Sequence, residues 1–218
     1  MKSPRKPRNT EHMIDPGQAL RYSVETQDLA YRSGAYAFAE SLDLAPRMAT
    51  IASYITHLGR RRVLDIGCGT GELVRYLPPE VSYIGVDVAP SAIATARARY
   101  AERPQTQFHI GAFRDWTCPQ TGLDALVWAG IGRAWTRDGR KGRFSDWLEI
   151  LDRAEPWLAP DAVLILEMVA PHWDNLSPLI AGRYEYLAGC DLDCLKDDHR
   201  AVRSLRVFRR PARTGSES

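Results

Sequence analysis

At 218 residues and 24.5 kDa, with 44% hydrophobic residues, the chain is long and apolar enough for one substantial domain and leaves little room for a second. A formal net charge of +2 does not call for a large polyanion as partner, and no apolar run approaches the roughly 18 residues that span a bilayer. Cys68, Cys118, Cys190 and Cys194 lack a second His or Cys pair to complete a zinc site and read as free thiols, so no metal is expected.

Residues 1–14 combine prolines and basic residues with almost nothing to bury, and are expected to form a disordered tail. The stretch Met1–Arg8 has no aromatic side chain for base stacking and no apolar segment of a secretion signal, which predicts a cytoplasmic protein. Residues 15–44 hold Tyr22, Tyr31, Tyr36 and Phe38, with Ser33-Gly34 as an interruption, and predict one or two short helices ahead of the sheet. From Pro46 to Leu58, Met48, Ile51, Ala52, Ile55 and Leu58 recur at helical spacing behind a first-turn proline, with Gly59 as the stop. His57 lies at the end of this helix and reads as a helix-terminus residue rather than a catalyst.

Val63, Leu64 and Ile66 form a short apolar run of the kind buried on both faces of a sheet, and Gly67, Gly69 and Gly71 follow at every second position. The pattern predicts strand, tight turn and short helix, with backbone that a ligand can approach closely. The dinucleotide fingerprint would require a third glycine where Glu72 stands. A carboxylate there, with Asp65 nearby, opposes a pyrophosphate and tolerates an ammonium group, so an amino acid attached to adenosine fits better than NAD.

The short helix is halted by Pro78-Pro79, Tyr83–Val88 is a second strand, and Ala89-Pro90-Ser91 opens a helix that ends before Pro104. Gln107–Ala112 and Leu123–Trp128 read as strands three and four, Phe144 to Ala154 as an amphipathic helix, and Ala162–Val169 as strand five. Beyond Ala170–Asp174 the form is unassigned to Gly189. Alternation from Val202 to Val207 then predicts a partly exposed strand within Ala201–Phe208, one of a closing antiparallel pair, and residues 211–218 read as a second tail. Strand-helix alternation implies a parallel sheet with helices on both faces and a ligand crevice along the carboxyl ends of its strands.

Asp65-Ile-Gly-Cys-Gly-Thr-Gly71 and Tyr83-Ile-Gly-Val-Asp-Val88, with Asp87 placed 22 residues after Asp65, resemble the first two motifs of the class I S-adenosylmethionine-dependent methyltransferases. The resemblance covers residues 45–210 and implies a Rossmann-like, doubly wound, mostly parallel seven-stranded sheet with an antiparallel last strand. It also makes residues 15–44 an N-terminal helical extension that closes over the site, with Tyr31, Arg32 and Tyr36 as candidates to touch cofactor and acceptor. By position it assigns cofactor binding to Asp65, Gly67, Cys68, Gly69, Gly71, Asp87, Val88, Ala112, Phe113 and Trp128, with Arg114 bordering the adenine and Asp87 holding the ribose hydroxyls.

After the fourth strand the chain has neither the Asn or Asp-Pro-Pro-Tyr motif of nucleic-acid amino-methyltransferases nor the acid of the magnesium-dependent catechol type. Trp128 and Trp135 instead offer apolar walls to a small acceptor, and His172, at the rim after the fifth strand, is the candidate base. The expected function is transfer of methyl from S-adenosyl-L-methionine to oxygen or nitrogen of a small molecule, leaving S-adenosyl-L-homocysteine. An RNA methyltransferase or a cofactor-binding regulatory subunit without turnover are the alternatives; a monomer and a homodimer are both compatible with the sequence.

Overall fold

A computed structural model of the chain describes residues 24–36, 45–130, 145–169, 173–196 and 199–211. Its sheet has seven strands: β1 (Arg62–Ile66), β2 (Ser82–Asp87), β3 (Thr106–Ile110), β4 (Leu123–Ala129), β5 (Leu158–Val169), β6 (Glu185–Lys196) and β7 (His199–Arg209). They lie in the order β3-β2-β1-β4-β5-β7-β6. The first five run parallel, and β7 is antiparallel to both of its neighbours. Strand order reverses between β1 and β4, so their carboxyl ends diverge around a crevice.

The central strands are apolar because both faces are covered. Leu64, Ile84, Leu126, Trp128, Leu164 and Leu166 face one helical layer, α4 (Ser145–Ala154) and α5 (Trp173–Ile180). Val63, Tyr83, Val127 and Ile165 face the other layer, α2 (Ala45–His57), a 3-10 turn at Glu72–Tyr76 and α3 (Pro90–Arg99). In α2, Ile51 and Ile55 share one face and are fully buried, each contributing about 1.5–3 kcal/mol by leaving water. Gly59, at φ 67, ends that helix in the left-handed region.

Several elements depart from expectation. The helix after the glycine loop is a five-residue 3-10 turn, cut off where extended Leu77 leads into Pro78. β5 begins at Leu158, before Pro160, and the pairing with β4 absorbs this by a register shift between Leu123 and Ala125. The unassigned segment supplies α5, with Pro178 inside it, and β6. β7 is an interior strand with Ser204, Leu205, Val207 and Phe208 buried and Val202 46% exposed, so it is partly exposed as expected, with both faces covered at its middle.

At the amino end, α1 (Val24–Arg32) lies against α3 and buries none of its residues. The tail regions 1–14 and 212–218 fall outside the described residues. Among the described residues, no helix is long and apolar enough to cross a membrane, and no cluster of His, Cys, Asp and Glu could hold a metal ion.

Candidate functional site

The crevice is floored by the turn after β1. Gly67 and Cys68 both donate their amides to the Val86 carbonyl, at 2.8 and 3.2 Å, which folds the loop back over the end of β2. There Asp87 closes the turn: its Oδ2 accepts from the Gly69 amide at 3.0 Å and its Oδ1 from the Ala89 amide at 2.9 Å. Burial raises the pKa of this carboxyl, opposed by those backbone donors. The Val88 amide is a third backbone donor to this carboxylate, which leaves one of its four acceptor positions for a further donor.

The glycines have different reasons. A Cβ on Gly69 would stand 2.7 Å from the Tyr31 hydroxyl, so the missing side chain is what lets Tyr31 of α1 approach the loop. A Cβ on Gly71, at φ 79, would stand 2.9 Å from ring atoms of Phe108 and Tyr100, so this one serves packing on the far side of the loop. Cys68 turns its thiol down against Gly85, 2.7 Å from where a Cβ there would be.

Asp65 lies on the face of β1 that carries Val63, its Oδ2 accepting from the Tyr83 hydroxyl at 2.7 Å. Burial raises its pKa to about 7, with Asp87 adding to the rise and the Tyr83 hydrogen bond and Arg47 opposing it. Glu72, expected to present a free carboxylate at the mouth, instead pairs with Arg99 and accepts from the Thr70 hydroxyl at 2.9 Å. Its charge is therefore spent within the protein.

A second charged group, not anticipated from the sequence, sits at the ends of β4, β5 and β7. Glu167 is buried; it accepts from the Gly130 amide at 2.9 Å and holds the Arg203 guanidinium by two contacts, Nε to Oε1 and Nη2 to Oε2. Arg47, only 9% exposed, brings Nη1 to 3.6 Å from the same carboxylate, and its Nε has no hydrogen-bond partner among the described residues. Two guanidinium groups thus share one buried carboxylate. Burial lowers the pKa of Arg47, Glu167 and Asp65 raise it, and a guanidinium stays charged in either case. The signal was present: Arg47 stands one turn before Ile51 on the buried face of α2, and Glu167 interrupts the apolar run of β5.

The structure therefore brings together Asp65, Gly67, Gly69, Asp87 and Tyr31, with Val88 half-buried beside them at the end of β2. Tyr36 packs on Tyr31, ring centroids 4.6 Å apart, and donates its hydroxyl to Gln27 at 2.7 Å. Ala112 is exposed after β3. Phe113 is a core residue, its ring edge-on to Trp157 at 5.7 Å. Trp128, 1% exposed, points with its neighbour Ile66 into the layer opposite Asp65, so its ring gives a ligand no surface. Trp135 and His172 lie outside the described residues.

Residues 63–153 match a family described as a methyltransferase domain. The chain is 31% identical over 120 residues to a trans-aconitate 2-methyltransferase of Methylobacterium radiotolerans, covering 54% of this chain and 40% of that protein. It is 33% identical over 122 residues to a 23S rRNA (uracil(1939)-C(5))-methyltransferase of Pseudomonas fluorescens, covering 55% and 26%. It thus spans less than half the length of these curated relatives. Its fold is similar to that of magnesium protoporphyrin IX methyltransferase from Synechocystis PCC 6803 with bound SAM, at a TM-score of 0.68 and 10% identity, over 92% of this chain and all of that one.

Proposed function

We propose that the chain is a class I S-adenosylmethionine-dependent methyltransferase that transfers a methyl group from that cofactor to oxygen or nitrogen of a small molecule. The observation that carries this reading is the Asp87 carboxylate, buried at the end of β2, clamped by backbone amides and still able to accept a ligand hydroxyl. The rest of the site fits the same ligand. Asp65 supplies negative charge for an ammonium group, and Arg47 supplies a buried cation with an unpartnered Nε for a carboxylate.

When bound, the cofactor supplies an electrophilic methyl group on a sulfonium. The protein's part is alignment and exclusion of water, with Asp87 fixing the ribose, Asp65 and Arg47 the amino-acid end, and Tyr31 roofing the glycine loop. His172 remains the proposed base on the acceptor side, and Trp135 a proposed wall. A small carboxylic acid is the first acceptor class to try, because a matched relative is named for trans-aconitate. The four thiols are all free, which suits the cytoplasm as the proposed location.

The test is incubation of the full chain with methyl-labelled cofactor and separate pools of small organic acids, small amines and RNA. Label in either small-molecule pool is the expected result. Label confined to RNA would overturn the acceptor class, and cofactor binding without label in any pool would mean a subunit that does not turn over.

A further inference from the structure

α1 is attached in an unusual way. Leu29 is 56% exposed and no whole residue of the helix is buried, the Tyr31 phenol being turned inward, so apolar packing holds it only weakly. Nine residues are also too few for a helix to persist unaided in water. One polar attachment is Asp28, whose Oδ1 accepts the Ser91 amide at 2.7 Å and whose carbonyl accepts the Ser91 hydroxyl at 3.3 Å. Ser91 stands in the first turn of α3, where amides have no partner within the helix, so α1 caps α3 from outside. Arg32, one turn along α1, pairs with the other oxygen of Asp28 at 3.1 Å.

The latch has a geometric consequence. Three residues after Asp28, Tyr31 drops from α1 toward the glycine loop, its hydroxyl 2.7 Å from the missing Cβ of Gly69 and close enough to Asp87 and Asp65 to feel both charges. Burial and those acids keep the phenol protonated, so it stands over the loop as a hydrogen-bond donor.

We propose that Asp28 is a positioning residue for the cofactor: by latching α1 to the start of α3 it holds Tyr31 over Gly69 as a detachable roof, and so sets how fast the cofactor leaves. The proposal rests on the methyltransferase reading for the identity of the ligand, while the latch itself can be measured without one.

Three measurements decide it. In ligand-free protein, hydrogen exchange at the Ser91 amide should be protected in wild type and in Asp28→Asn, which keeps the acceptor oxygen, and exposed in Asp28→Ala. With S-adenosyl-L-homocysteine, Asp28→Ala should release the ligand about tenfold faster, the loss expected for one hydrogen bond to a charged group, and Asp28→Asn should restore slow release. In a Tyr31→Ala background the same Asp28→Ala change should add little, because both residues act through one contact. Retained protection of Ser91 in Asp28→Ala, unchanged or slower release, or effects that add in the double variant would each overturn the proposal. Failure of wild type to bind the ligand would instead refute the cofactor assignment, with the exchange data still reporting on the latch.

Discussion

Raising the pH from 5.5 to 8.5 should tighten binding of S-adenosyl-L-homocysteine, because Asp65 must release a proton before it can face an ammonium group. With a pKa of about 7 in the folded protein, only a few per cent of Asp65 is ionised at pH 5.5 and nearly all at pH 8.5, so affinity should rise by about thirtyfold and then level off. Calorimetry in two buffers of different ionisation heat should find close to one proton released per ligand near pH 6 and none at pH 8.5. Stability should move the opposite way. The folded pKa lies above the usual value near 4, so between about pH 4 and 7 the native state binds more protons than the unfolded chain, and stability is lost as pH rises. Asp65→Asn has no such proton, so its stability relative to wild type should climb by up to about 1.4 kcal/mol per pH unit across that window. Affinity that stays flat from pH 5.5 to 7 in folded protein, with no proton release, would refute the reasoning. So would a constant stability difference between the two proteins.

Arg47→Met should leave the melting temperature unchanged or raised, since it removes a buried cation in excess over Glu167, yet weaken cofactor binding by tenfold or more; calorimetry and thermal melts read the two effects separately. Gly71→Ala should destabilise by about 1–3 kcal/mol, because the added Cβ overpacks Phe108 and Tyr100 at a positive φ. For a chain of this size that is a fall of roughly 2–12 °C in a thermal scan. His172→Ala should lower turnover by about a hundredfold to ten-thousandfold with cofactor affinity intact, and flatten the rise of rate near pH 6.5. A near-normal rate from pH 5.5 to 9 would remove it from the catalytic assignment.

The elements that could be read from sequence were those whose backbone or burial leaves few choices of residue. β1, β2, β4 and β5 announced themselves because strands covered on both faces are apolar nearly throughout, and the turn after β1 because Gly67, Gly69 and Gly71 all adopt positive φ. β6 was illegible for the converse reason. As an edge strand it tolerates Gly189, Asp191 and Asp193, and its pairing is dictated by β7 rather than by its own pattern. The charged group of the site escaped because Arg47, Glu167 and Arg203 meet only in three dimensions, and no spacing rule connects them. Glu72 misled in the same way, its partner Arg99 being a full strand and helix away. Trp128 lies away from Asp65 because residues in a strand alternate in direction, and one step along β4 exchanges the Asp65 face for the other layer.

The placement of β7 between β5 and β6 also fixes an order of assembly. β6 precedes β7 in the chain but touches no other strand, so it cannot join the sheet until β7 has paired with β5. As the chain emerges from the ribosome, the hydrogen-bonding edge of β5 along Val163–Val169 therefore stands open until Arg203–Arg209 arrive. An apolar parallel strand with a bare edge is a template for another chain, which makes this interval the one in which the nascent protein is most exposed to aggregation. Loss of the β7 segment would cost the fold two strands rather than one, and would take Arg203 from Glu167, leaving it to Arg47 alone of the two guanidinium groups.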